Sequence, residues 1–385
     1  PEQIGVTALD ERTLEVRLEG PSAYLPYLLA YPVAYPLPRW AVEGHDEDWM
    51  AANTRATNGP FSLDEWIPGE HMLLTRNPYY DGAMRGNVER VECSCYADYR
   101  AALAAYEADR VDVVTLFNAD SATIARARAA YGRELNFFPR PITFFLLFRA
   151  DRPPFDDARV RRAFAHALNR RALVRDALQD PRLPATGGFV PPGMAGHSAD
   201  IGIPYDPAQG RRLLAEADFA DGRGFPSVSW LHPVASEGDR TVSFLQRQLR
   251  ENLNLDLRAD ALPWAQFLEK VTHDPAHLML LAFGADYPDP DSMLRTTFHG
   301  RTGTSTAGWS NSRFDALVET AARTVDHAER MQLYRKADRI LVAEEAAVIP
   351  LSYGRGRILV KPRVSLPHTL STSVPLKNIV VHRSP

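Results

Sequence analysis

Hydrophobic and polar positions alternate with period two from Thr13 to Leu18, the mark of a strand with one buried face. The apolar stretch from Pro21 to Trp40 is interleaved with aromatics and prolines, and predicts a short helix plus a buried loop. Asn58-Gly-Pro-Phe61 reads as a turn, followed by strands over Phe61 to Trp66 and His71 to Arg76. Helical spacing from Asp98 to Ala108 puts Tyr99, Leu103 and Tyr106 on one face, and Val111 to Leu116 follows as a strand. Ser121 carries a cap-like hydroxyl at the start of a helix reaching about Tyr131.

At Ile142 the texture changes. The run Ile142 to Phe148 predicts a buried strand, and the following pattern predicts helices over Ala158 to Leu168 and Arg170 to Leu178. Further helices are expected at Pro207 to Ala217, Arg240 to Asn252, Trp264 to Val271, Phe314 to Thr324 and His327 to Glu345. Strands are expected at Ser227 to Leu231, Leu255 to Asp260, Leu278 to Phe283, Val348 to Tyr353 and Arg357 to Val360. Strand and helix alternate, so the class is α/β, with sheets covered by helices. The segment 140–345 reads as self-contained; the strand-rich segments 1–139 and 346–385 are expected to pair into another lobe.

Composition narrows the choice. The 385 residues exceed one typical domain, and 45% hydrophobic content argues against disorder. A net charge of −4 is too mild to direct the chain to nucleic acid or anionic lipid. No apolar run approaches the roughly 18 residues of a membrane span. The chain opens at Pro1 with neither Met nor a signal segment, which reads as a fragment.

The chemical motifs are sparse. Cys93 and Cys95 lie on one face of an expected strand, where two thiols alone make a weak metal site and a poor disulfide, and they are expected to be buried as small hydrophobes. No Gly-x-Ser-x-Gly elbow, Walker loop or Gly-x-Gly-x-x-Gly turn is present. His273 and His277 have the spacing of a zinc helix, but Pro275 between them interrupts the helix that would align them. The expectation is therefore no catalytic residue, no metal and no cofactor.

Several segments match one family in order. Asn58-Gly-Pro-Phe-Ser-Leu-Asp-Glu-Trp66 with Arg76-Asn-Pro-Tyr-Tyr80 resembles one region of the family 5 extracellular solute-binding proteins. Pro153 to Ala163 with Ala167-Leu-Asn-Arg170, Ala282-Phe-Gly-Ala-Asp-Tyr-Pro-Asp-Pro-Asp291, Trp309 to Leu317 with Glu329-Arg330 and Tyr334, Val348-Ile-Pro-Leu and Leu359-Val-Lys-Pro362 resemble others, most closely in the oligopeptide-binding branch. The resemblance covers nearly the whole chain. It implies an α/β, two-lobed clamshell of the periplasmic-binding-protein type (class II), with the first lobe incomplete here. Its segments would be 1–139 for the remainder of that lobe, 140–345 for the ligand-closing lobe and 346–385 for the return.

The resemblance also assigns roles. Asp286 corresponds to the aspartate that pairs with a peptide's α-ammonium, and Phe283, Gly284 and Ala285 to the strand that meets the peptide main chain. Trp264 stands where relatives line a side-chain pocket, and Phe283 where a tryptophan is usual. Asp289 and Asp291 are expected to be turn residues fixed by their prolines. Val271, Thr272 and Leu280 stand where close peptide binders have arginine or histidine, so the anchor for a peptide's carboxylate is absent or rebuilt, with Arg240 or His273 as replacements. The expected partners are a peptide or peptide-like ligand and the permease subunits of an ABC importer, with no nucleic acid and a monomeric, extracytoplasmic, membrane-associated protein, as a lipoprotein can be. The alternative is a solute-sensing module behind a DNA-binding domain. A hydrolase would need a nucleophile–base pair in the cleft.

Overall fold

The computed structural model describes residues 5–43, 57–117, 119–178, 183–234, 236–367 and 375–382. The chain opens with an antiparallel hairpin of β1 (Val6–Ala8) and β2 (Leu14–Val16), followed by α1 (Leu25–Leu29) and α2 (Arg39–Val42). The apolar stretch around α1 and α2 was expected to be buried, but Val33 is 88% and Trp40 68% exposed. Among the described residues these side chains find no core to enter.

An antiparallel meander follows: β3 (Phe61–Ile67), β4 (His71–Arg76) and β5 (Arg90–Ser94). Next come α3 (Tyr99–Glu107), β6 (Val113–Thr115) and α4 (Ser121–Tyr131). The cap of α4 is Asp120, not Ser121: its carboxylate accepts the amide of Thr123 at 2.9 Å, satisfying an orphan donor of the first turn.

β7 (Leu135–Phe148) is twice the length of the apolar run that announced it. After it come α5 (Ala158–Ala167), α6 (Arg170–Ala172), β8 (Leu183–Pro184), α7 (Pro207–Glu216), β9 (Trp230–Pro233), α8 (Ser236–Leu253), β10 (Asp260–Leu262), α9 (Trp264–His273) and β11 (Leu278–Gly284). The last part holds α10 (Pro290–Phe298), α11 (Ser312–Arg323), α12 (His327–Arg339), β12 (Val348–Val360), β13 (Val364–Ser365) and β14 (Val380–Val381). β12 was expected as two strands, Val348 to Tyr353 and Arg357 to Val360, yet it runs unbroken. At Gly356 a Cβ would sit 2.2 Å from the ring of Phe138, so this glycine serves close packing and breaks nothing.

Two compact units result. One comprises 1–31 and 141–354, the other 32–140 and 355–385. Residues 1–31 thus group with the later segment, where the Tyr24 ring stacks on Tyr287 at 5.7 Å. In that first unit the strand order is β10-β9-β11-β7-β12, with β8 on β12. Successive residues of β7 face opposite layers. Leu146 and Phe148 enter a core with Phe155, Phe164, Leu213, Leu245 and Leu249 from α5, α7, α8 and the turn before α5. Phe145 and Leu147 enter another with Phe267, Met293, Phe314, Met331 and Tyr334 from α9 to α12. A sheet buried on both faces by helices explains why its strands read as continuous apolar runs rather than alternating ones.

In the second unit, α3, α4 and β6 pack around Leu103, Tyr106, Leu116, Leu135 and Leu359, and β6 pairs with the end of β12. No described helix is long and apolar enough to cross a membrane.

Candidate functional site

β11 has one complete ladder and one partial ladder. On one side it pairs antiparallel with β7 along its whole length, from Leu278↔Phe148 to Gly284↔Ile142. On the other side β9 pairs only with Leu278 and Met279. From Leu280 to Gly284, no strand among the described residues takes up that second edge. A strand in an antiparallel ladder turns alternate main-chain groups to each side, so this edge offers donors and acceptors to an added strand.

The segment beyond β11 is held firmly. The amide of Ala285 donates to the Pro141 carbonyl at 2.8 Å, continuing the β7 side. Asp286 is exposed, and its own amide donates to the buried Ser292 hydroxyl at 3.0 Å. Tyr287, next in the chain, is buried. Asp289 caps α10 by accepting the Asp291 amide at 2.9 Å, and its carboxylate pairs with the buried Arg330.

Asp291 is the hub. Fully buried, it accepts the Tyr287 hydroxyl at 2.7 Å, the Tyr334 hydroxyl at 2.8 Å and both Nε and Nη2 of Arg295 at 2.7 Å. Arg295 also donates to the Tyr24 hydroxyl at 3.1 Å. Burial, reinforced by the Asp291 charge, pushes the Tyr287 and Tyr334 phenols well above the usual range, so both stay protonated donors. The hydrogen bonds to Asp291 raise Arg295 against its partial burial. Asp289 and Asp291 are therefore more than the turn residues the sequence suggested. The signal available was the i, i+4 spacing of Asp291 with Arg295 and of Arg330 with Tyr334.

Phe283, Gly284, Ala285 and Asp286 are consecutive and come together by chain continuity. Phe283 is half-buried with its ring 6.4 Å from that of Phe189, and Gly284 closely approaches Ile142, where a Cβ would stand 3.2 Å from Cγ1. Trp264 opens α9 directly after β10, is 63% exposed, and stacks on the buried Phe267 at 6.0 Å. Arg240 lies on α8, the helix after β9, with its side chain exposed. Trp264 and Arg240 thus belong to elements flanking β9 and β10, the strands on the open side of β11.

None of the three departures supplies a cation: Leu280 is buried, Val271 packs on the second core, and the Thr272 hydroxyl is engaged with the Leu268 carbonyl at 2.9 Å. Arg149 forms a bidentate pair with Asp151 (2.9 and 2.6 Å). A serine–histidine contact exists between Ser229 Oγ and His277 Nδ1 at 2.9 Å, at the start of β11 and the far end of that strand from Asp286. The His277 amide donates to the same Oγ at 3.1 Å, so the pair closes the start of the β9–β11 ladder. Among the described residues no group of three or more His, Cys, Asp and Glu side chains is placed to hold a metal.

Residues 1–305 match the model of the bacterial extracellular solute-binding proteins, family 5 middle. The probable deoxycholate-binding periplasmic protein YgiS of Escherichia coli K12 is 27% identical over 369 residues, covering 94% of this chain and 67% of its own length. The periplasmic oligopeptide-binding protein OppA of Salmonella typhimurium is 27% identical over 384 residues, covering 98% and 69%. The chain spans about two thirds of the length of these relatives. Among solved structures, the Escherichia coli murein tripeptide binding protein MppA superposes with a TM-score of 0.75 at 20% identity, over 100% of this chain and 75% of that one. Peptide-bound OppA of Listeria monocytogenes gives 0.73 at 22%, over 99% and 75%. These likenesses establish the mixed α/β fold of periplasmic binding proteins.

Proposed function

The chain belongs to the bacterial extracellular solute-binding proteins of family 5, and from that premise we propose that it is the substrate-binding component of a peptide ABC importer. It works outside the cytoplasmic membrane as a monomer, delivers its ligand to the permease subunits, and does no chemistry on it. The observation that carries this reading is the open edge of β11, Leu280 to Gly284, ending at the exposed carboxylate of Asp286. An extended peptide adds to such an edge through groups every peptide has, so affinity is broad in sequence. Asp286 pairs with the ligand's α-ammonium. A charge-assisted hydrogen bond contributes about 1.5–3 kcal/mol.

The segment 140–345 is the ligand-binding lobe in this reading. Phe283, Gly284 and Ala285 present the main chain, Trp264 offers an apolar wall for a side chain, and Arg240 stands toward the ligand's far end. With Val271, Thr272 and Leu280 in place of basic residues, a free carboxylate at that end is not required. The buried hub behind Asp286 supports the reading, because it holds the loop before any ligand arrives and lowers the ordering cost of binding.

A thermal-shift screen of the purified protein tests it, with a peptide panel of varied length and sequence set against deoxycholate. Stabilisation by several unrelated peptides is expected. Stabilisation by the bile acid and by no peptide would overturn the peptide reading while leaving the family assignment intact.

A further inference from the structure

The meander of the second unit carries a feature that solute binding leaves unused. β5 is its outer strand: β4 takes one edge, and no strand among the described residues takes the other. Cys93 lies in β5, and Cys95 stands one position past its end. The Cys95 amide donates to the Glu70 carbonyl at 2.7 Å, so the ladder continues through it. Side chains two apart on a strand share a face. Both thiols are exposed, against the sequence expectation of buried cysteines, because β5 lies at the edge of a small sheet.

Met72 sits directly opposite Cys93 in the β4–β5 ladder, and the next same-face pair is Leu74 with Val91. Met72, Cys93 and Cys95 therefore share one face at the end of an apolar strip, while Glu92 and Ser94 lie on the other face.

We propose that Cys93, Cys95 and Met72 form a binding site for one soft monovalent cation, copper(I) or its stable analogue silver(I). Thiolate and thioether ligands select soft ions, whereas magnesium and calcium need oxygen donors and a closed zinc site needs four strong ligands, of which this set supplies two. Two- or three-coordinate geometry suits copper(I). A disulfide between residues two apart on a strand has poor geometry, which leaves the pair as a dithiol.

The step balances without redox. Each S–H bond breaks as a sulfur–metal bond forms, the two protons pass to solvent, and the metal keeps its valence. Because each thiol gives up its proton to the metal, affinity rises with pH. The site stands independently of the peptide reading.

The test is anaerobic titration of the reduced chain with silver(I), and with copper(I) against a competing chelator, the stoichiometry being read by native mass spectrometry. Parallel titrations use Cys93→Ser, Cys95→Ser and Met72→Leu, with circular dichroism confirming that each variant folds. One ion per chain and release of two protons are expected, with affinity lower by about 100-fold in either serine variant and about tenfold in Met72→Leu. Equal binding by the wild type and both serine variants, or no uptake by the reduced wild type, would overturn the proposal.

Discussion

Removing the Asp291 carboxylate is the sharpest structural perturbation available. Asp291 is fully buried and receives four hydrogen bonds: one each from Tyr287 and Tyr334 and two from Arg295. Asp291→Ala leaves two buried hydroxyls and a guanidinium without their acceptor. Breaking a buried ion pair from one side costs about 3–5 kcal/mol, because the surviving charge is left uncompensated. Arg295 keeps a 25% exposed side chain, so water recovers part of its loss, but the tyrosines have no such outlet. The unit concerned has roughly 245 residues. At about 2–4 °C per kcal/mol for that size, its calorimetric transition falls by roughly 6–20 °C. Asp291→Asn keeps the shape and one acceptor oxygen, so it loses less. Scanning calorimetry reads both. A loss under about 1 kcal/mol for Asp291→Ala would refute the claim that this hub holds the loop carrying Asp286.

Further outcomes follow from the same geometry. At Gly188 a Cβ would lie 1.9 Å from the Asp338 carboxylate, so Gly188→Ala costs about 1–3 kcal/mol in urea unfolding, and a neutral result would contradict that packing. Burial pushes Asp338 up to about 7 despite the bonds it accepts from the Phe189 and Val190 amides. With the folded value above the unfolded one, the native state holds the extra proton between about pH 4 and about pH 7, and stability from this group falls as pH rises through that window. Asp338→Asn therefore has a shallower stability loss across that range than the wild type, and identical slopes would remove Asp338 as the cause. Trp264→Ala, at a 63% exposed position, changes stability by only about 0.5 kcal/mol. It nevertheless weakens binding of peptides with bulky apolar side chains, as read by calorimetry.

The layered α/β unit was legible because its strands are buried on both faces and its helices are amphipathic. Leu278 to Phe283 announced β11 to within a residue, and Ile142 to Phe148 announced the second half of β7. Leu255 to Asp260 failed as a strand: Leu255 and Leu257 are buried in the first core without pairing, and β10 begins only at Asp260. Side-chain burial alone does not say whether the backbone joins a ladder. Asp286 was singled out by its motif, whereas the buried contacts that hold the segment around it were not signalled. The hub around Asp291 joins the local Asp291–Arg295 pair to Tyr24 and Tyr334, which are distant in the chain; the i, i+4 spacing signals the pair but not the convergence. Cys93 and Cys95 were placed on one face by alternation, but their exposure depends on β5 lying at a sheet edge, which is a matter of topology.

The central claim is that Asp286 receives the amino end of an extended ligand lying along β11. Isothermal titration of one peptide with a free and an acetylated amino terminus, on the wild type and on Asp286→Ala, tests it most directly. The free peptide should bind the wild type at least about tenfold more tightly than the acetylated one, since a charge-assisted bond of about 1.5–3 kcal/mol is at stake. That preference should vanish in Asp286→Ala. An equal preference in both proteins, or none in the wild type, would contradict the account.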